Sequence, residues 1–300
     1  MDNQKQFKVL MDKITGEALS NELKGCKQSL KDSCQEMQSA LMPCFEINIE
    51  NGNEPFPFCY SGGDKPAELV WIGLNPGSPL ERCKTWKWED ASWRDIIEYC
   101  VPTTDIRKRQ GENTYFTFLD EAGKELKTDY YRFVLRMHLA LLGDEVFDTW
   151  KAVQEKYGKG KTAELFLERF ATHPVLNAEL IPYKSKGINY RIENLLKNHK
   201  YMAYFRALFQ YAEEISLPNA WFVFFGAPKE VRLLLEKEHS DWNIPKEGDS
   251  IMIPDEDGQE FYIFKGGSRK ILLSPFIKRY SVNYHISNLV QKMKDFELNL

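Results

Sequence analysis

The chain has 300 residues, a net charge of −4, 43% hydrophobic and 13% aromatic residues. That is enough apolar material for a sizeable core, which excludes a disordered chain, and no uninterrupted apolar run reaches about 18 residues, which excludes a membrane-spanning helix. A pI near 5.9 argues against a uniformly basic nucleic-acid ligand, although a local basic patch suffices to hold phosphates.

Residues 1–40 are polar and charged and form an expected helical extension. They contain no apolar core of the kind a secretion signal needs, so a cytoplasmic protein is expected. The six cysteines, Cys26, Cys34, Cys44, Cys59, Cys83 and Cys100, lie in the first third with no CxxC pair. Free thiols are expected, with no metal, no iron–sulfur cluster and no other cofactor.

Four short apolar runs follow: 67–74 (AELVWIGL), 174–181 (PVLNAELI), 221–225 (WFVFF) and 270–273 (KILL). Continuous apolar runs of this length suit strands covered on both faces. Between the first two, residues 91–170 read as a long helical crossover. Helical spacing recurs over 190–215 (Leu195, Leu196, Tyr204, Leu208, Tyr211), 228–238 (Val231, Leu234, Leu235) and 284–296 (Ile286, Leu289, Val290, Met293). Residues 250–264 flank DEDG with two alternating runs, which is hairpin chemistry. Strand and helix alternate, predicting one α/β domain over 1–300 with a parallel sheet and helices on both faces.

Each apolar run ends in a distinctive turn: Gly73-Leu74-Asn75-Pro76-Gly77, Pro182-Tyr183-Lys184, Gly226-Ala227-Pro228 and Ser274-Pro275-Phe276. Ligands of open parallel sheets bind beyond the carboxyl ends of the strands, so these turns are expected along one edge. Asn75 is either a helix cap or a posed polar group at a strand tip. Asn177, an amide inside an apolar strand, pairs either with backbone or with a ligand of matching donor–acceptor pattern, such as a nucleobase. Trp86, Trp88 and Trp93 are either core or a stacking wall for a planar ring. Lys184, Lys186, Arg191, Lys197 and Lys200 follow the second run. Lys265, Arg269, Lys270, Lys278 and Arg279 flank the fourth, with Gly266-Gly267-Ser268 offering backbone donors. These cations are expected near the same edge, facing phosphates.

The ordered set LVWIGLNPG, LNAELIP, WFVFFGAP and ILLSP resembles the uracil-DNA glycosylase superfamily. GLNPG is similar to the G-x-N-P-G motif of its mismatch-specific and single-strand-selective branches. Ser274-Pro275 resembles the tail of its second motif. The resemblance covers roughly 65–290 and implies a three-layer α/β/α sandwich with a four-stranded parallel core. It also implies hydrolysis, without a metal, of the N-glycosidic bond of uracil or a related damaged base in DNA. Asn75 would orient the attacking water. Trp88 would stack on the flipped base, Asn177 would read its edge, and Gly73 and Leu74 would line its pocket. Lys184, Lys186, Ser274, Pro275, Phe276, Lys278 and Arg279 would contact DNA, with Phe276 or Tyr280 as wedge. The sequence departs from the pattern at the second motif, where Leu272 and Leu273 stand in place of a histidine; His285 is the nearest substitute. Two other functions share these features: a catalytically silent nucleic-acid-binding or defence-related protein, and a hydrolase of a small nucleoside or nucleotide.

Overall fold

A computed structural model describes residues 45–49, 58–60, 65–74, 124–126, 129–143, 145–182, 185–190, 192–249, 251–252, 260–275 and 286–300. Nine strands are described, numbered β1 to β9: Phe45–Ile49, Phe58–Tyr60, Ala67–Gly73, Val175–Glu179, Ser185–Tyr190, Ser216–Phe225, Ile251–Met252, Glu260–Gly266 and Arg269–Ser274. Seven α-helices are described, numbered α1 to α7: Asp129–Leu142, Trp150–Tyr157, Thr162–Thr172, Ile192–Lys197, His199–Ile215, Pro228–Glu238 and Ser287–Leu298. The fold is mixed α/β. Among the described residues no helix is long and apolar enough to cross a membrane.

Seven strands form the main sheet in the order β2-β4-β3-β6-β9-β8-β7. Every apolar run of the sequence lies on a strand of its centre. β4 with β3, β3 with β6 and β6 with β9 all pair in parallel, whereas β2, β8 and β7 join the flanks antiparallel. Val70, Trp71 and Ile72 illustrate why β3 sits at the centre: consecutive apolar residues leave no polar face to solvate, and all three are buried.

Because side chains alternate across a strand, the sheet has two apolar faces. Val70, Ile72, Leu176, Phe222, Phe224 and Leu273 pack with α4, α5 and α6. Leu69, Trp71, Val175, Val223, Phe225 and Leu272 pack with α1, α2, α3 and α7. The helices α1 to α3 belong to the predicted 91–170 crossover, whose earlier part lies outside the described residues, as does the expected extension 1–40.

Three local expectations are revised. The helix expected over 190–215 is two helices: Asn198 ends α4 and caps α5, its side chain accepting from the amides of Lys200 and Tyr201 at 3.1 Å each. Ser185–Tyr190 is a strand, pairing antiparallel with β1 in a separate two-stranded sheet. Of Gly266-Gly267-Ser268, Gly266 ends β8 and pairs with Arg269, and Gly267-Ser268 is the turn into β9; Gly267 takes φ +59°, a left-handed conformation that glycine adopts without a Cβ clash. The hairpin expected around DEDG is present as the β7–β8 pairing.

Candidate functional site

The parallel registers place the strand tips side by side. Gly73 of β3 pairs with Glu179 of β4, Ile72 with Phe224 of β6, and Phe225 with Ser274 of β9. The carboxyl ends of all four strands therefore share one edge. The β3–β4 ladder continues past the strands, with the Leu180 amide donating to the Gly73 carbonyl at 2.7 Å and the Ile181 amide to that of Leu74 at 2.9 Å. These two bonds hold the backbone that leads into position 75.

Along β4 the pattern is apolar except at two alternate positions. Leu176 and Ala178 face one core, while Asn177 and Glu179 point to the other side, toward the layer that holds α1. There the Tyr130 hydroxyl, from the first turn of α1, donates to Asn177 Oδ1 at 2.9 Å. The Tyr130 ring is itself fixed by edge-on contacts to Tyr131 (5.1 Å between centroids) and Phe225 (6.1 Å). Phe225 in turn stacks on Trp71 at 5.1 Å. An aromatic floor beneath the edge thus sets the hydroxyl, and the hydroxyl sets the amide. With Oδ1 held as acceptor, the Asn177 NH₂ is the end oriented as donor.

Glu179 is the most unusual group of this edge. The residue is partly exposed, yet its Oε2 is shut from solvent with no hydrogen-bond partner among the described residues. The carboxyl lies directly over Gly73: a Cβ built there would sit 2.7 Å from Oε2 and 3.3 Å from Cδ. Glycine at the tip of β3 is what leaves room for it. Burial pushes the Glu179 carboxyl up to about 8, so it carries a proton at neutral pH. Burial first, then the neighbouring Glu179 and Tyr131, raise Tyr130 well above its ordinary value. The edge thus presents an amide, a carboxylic acid and a phenol, all neutral. Such a set hydrogen-bonds an uncharged polar ligand and offers one transferable proton.

The remaining predicted residues fall into three groups. Gly73 and Leu74 stand at the β3 tip beside Glu179, although Leu74 packs toward the opposite core. Ser274 is 3% exposed and Pro275 is buried, the Ser274 hydroxyl donating to the Pro275 carbonyl at 3.2 Å; both are interior positions at the β9 tip. Asn75, Trp86, Trp88, Trp93, Lys184, Phe276, Lys278, Arg279, Tyr280 and His285 lie outside the described residues, as does the Lys186 side chain.

One group of cations is corrected. Lys265, Arg269 and Lys270 stand at the amino end of β9, the opposite edge of the sheet. Arg269 is 8% exposed and bonds the carbonyls of Leu217 and Glu213. Lys270 bonds Glu297 and lies 5.2 Å from the Trp221 ring centroid. Arg269 and Lys270 are committed to the fold and do not face the strand tips. Two of the described histidines, His138 and His239, do not replace the missing one. His138 is buried against Phe170 and pushed down to about 3 by that burial, and His239 stacks on Trp242 at 3.8 Å.

Sequence reading missed Glu179 and Tyr130. Glu179 carried a signal, since it is the only acid in PVLNAELI and stands two residues after Asn177, hence on the same face. Tyr130 carried none, because its role depends on how α1 lies against the sheet. Among the described residues there is no cluster of three or more potential metal ligands. No protein-family model matches the chain, and no curated protein or solved structure matches it at significant similarity.

Proposed function

We propose that this chain hydrolyses the N-glycosidic bond of uracil or a related damaged base in DNA, with the three-layer α/β/α architecture and four-stranded parallel core of the uracil-DNA glycosylase superfamily. The observation that carries the proposal is the Asn177 amide, posed by Tyr130 two residues before the carboxyl end of β4 and paired with Trp71, two residues before the tip of β3, from which Asn75 follows two residues after Gly73. Further support comes from the four motif-bearing strands, which are immediate neighbours running in one direction.

In this reading a flipped nucleotide enters over the strand tips, where unstacking costs least for a weakened pair. Asn177 reads the pyrimidine edge and Trp88 stacks on the ring. Asn75 orients the water that attacks the sugar as oxocarbenium character develops. Lys184, Lys186, Phe276, Lys278 and Arg279 hold or wedge the DNA.

The test is strand breakage. A labelled oligonucleotide containing one uracil is incubated with the protein and then heated in alkali, which cleaves only abasic sites. Breakage at the uracil position that disappears in Asn75→Ala and falls at least roughly 100-fold in Asn177→Ala supports the proposal. Absence of breakage on single- and double-stranded substrates, or wild-type breakage by Asn75→Ala, overturns it.

A second reading, hydrolysis of a small nucleoside or nucleotide, is favoured by one observation: Arg269 and Lys270 are sequestered at the far edge, which removes part of the basic surface that long DNA requires. Release of free base from nucleosides, without breakage of the oligonucleotide, would select it.

A further inference from the structure

Glu179 belongs to no expectation drawn from the sequence, and the fold alone does not account for it. A buried carboxyl oxygen normally has a donor, because leaving it without one costs stability. Here Oε2 has none among the described residues. The site was nevertheless built around it. Gly73 leaves space above the β3 tip: a Cβ there would sit 2.7 Å from Oε2, so the carboxyl would have to move from its present position. The Tyr204 hydroxyl, from α5, bonds the Glu179 backbone carbonyl and so anchors the strand end. Asn177, on the same face two residues earlier, already has its acceptor oxygen engaged by Tyr130.

We propose that Glu179 is a specificity-determining ligand-binding residue, whose protonated carboxyl donates its O–H to a carbonyl oxygen or ring nitrogen of a neutral heterocyclic base, alongside the Asn177 amide. The inference rests on the reading that the strand tips take a nucleobase, and it adds a donor for which that reading had no residue once the second-motif histidine was found missing. A protonated acid offers one donor and one acceptor about 2.2 Å apart in one plane, which matches a lactam edge such as O=C–N–H. Deprotonated, the same group repels the carbonyl it would otherwise hold.

The groups facing Glu179 define what pH does to such a site. They are Tyr130 from α1, Asn177 from its own strand and Gly73 from β3; no described cation neighbours the acid. Tyr130 stays protonated far above neutrality, so the acid is the described group that changes charge between neutrality and mild alkali.

The experiment is calorimetric titration of the full-length protein with free uracil and free hypoxanthine, from pH 6.5 to 9.5, for wild type, Glu179→Gln and Glu179→Leu. Circular dichroism confirms that each variant is folded. Glutamine keeps a donor and cannot ionise; leucine keeps neither donor nor charge. The wild type is expected to bind one of the bases below pH 8 and to weaken about tenfold per pH unit above it. Glu179→Gln is expected to bind across the range, following only the ionisation of the base itself. Glu179→Leu is expected to bind at least about tenfold more weakly than wild type at pH 7.

If wild type and Glu179→Leu bind a base equally, the role of Glu179 is overturned while the base-binding site survives. A Glu179→Gln profile that falls in parallel with wild type overturns it too. If the wild type binds neither base although uracil-containing DNA is cleaved, Glu179 again has no part in base recognition. If there is neither base binding nor cleavage, this inference and the glycosylase proposal fall together.

Discussion

At the amino end of the sheet, Arg269 is 8% exposed, its terminal nitrogens bonded to the carbonyls of Leu217 and Glu213 and its Nε 3.7 Å from Glu213 Oε1. At the carboxyl end, Glu179 keeps a buried oxygen with no donor. The same strands connect the two. At the amino edge the terminal nitrogens of Arg269 are bonded and only its Nε is without a hydrogen bond, facing a carboxylate, while at the carboxyl edge Glu179 Oε2 has neither a donor nor a described cation beside it. Groups buried with partners hold a fold together. A group buried without one lowers stability, and such groups concentrate where a ligand completes the set.

The sharpest way to break this comparison is to remove the arginine. Arg269→Met keeps much of the apolar stem but strands two carbonyls and leaves Glu213, a carboxyl already raised by burial against the opposing pull of Arg269, without its cation. A loss of roughly 3 kcal/mol is expected in urea denaturation at pH 7, with base binding at the far edge unchanged. A loss below about 0.5 kcal/mol would mean that the amino edge is not held by this network.

Glu179→Gln should act in the opposite direction and only at high pH. Native Glu179 retains its proton up to about 8, whereas an unfolded glutamate releases it near 4.5. Between those values the native state binds more protons, so wild-type stability declines as pH rises, and the full penalty is present above pH 8. The shift corresponds to at most about 5 kcal/mol; partial exposure of the residue reduces the expected effect to roughly 2 kcal/mol. The variant should match wild type at pH 4 and exceed its stability at pH 8.5. Parallel stability–pH curves for the two proteins would show that the acid is ionised and solvated in the native state.

Tyr130→Phe probes the neighbouring amide. It removes the hydroxyl that fixes Asn177 and leaves the ring against Phe225 in place. A stability loss of about 1 kcal/mol is expected, and base affinity should fall because the amide is free to rotate. If affinity is unchanged while stability drops, Tyr130 supports the core without orienting the ligand.

How far the sequence disclosed these two edges follows from where each signal lies. The central strands were legible because Val70-Trp71-Ile72 and Trp221 to Phe225 are apolar without alternation, a pattern that only a doubly covered strand tolerates. Asn177 stood out as the amide within such a run. Arg269 did not reveal its place: a cation beside a strand looks alike whether it faces phosphate or a carbonyl, and only the β8–β9 hairpin decides that it lies at the amino end. The break at Asn198 was hidden because residues on both sides keep helical spacing, and the cap shows only in its two side-chain bonds. Tyr130 became visible only once α1 was set against β4.

The smallest expected effect returns to the backbone of the two edges. Both carry a residue in the left-handed region: Gly267 at φ +59° in the amino-edge hairpin, and Ala227 at φ +48° just past the β6 tip, where the chain enters α6 at Pro228. Glycine adopts that conformation freely, while an L-residue with a Cβ is strained by roughly 1–2 kcal/mol. Both edges place a glycine at positive φ, Gly267 in the hairpin and Gly226 (φ +93°) after β6, but the carboxyl edge adds an L-residue, Ala227, in the left-handed region. Ala227→Gly should stabilise the protein by about 0.5 kcal/mol, since part of the relief is offset by the greater freedom glycine has when unfolded. Gly267→Ala should destabilise it by about 1 kcal/mol, with the new methyl also pressed to 3.3 Å from Trp242 Nε1. If the alanine at 227 is kept because it holds the α6 entry in one position at the strand tips, Ala227→Gly will gain that stability yet bind base more weakly. Equal affinity with the gain intact would reduce Ala227 to a local strain without consequence for the site.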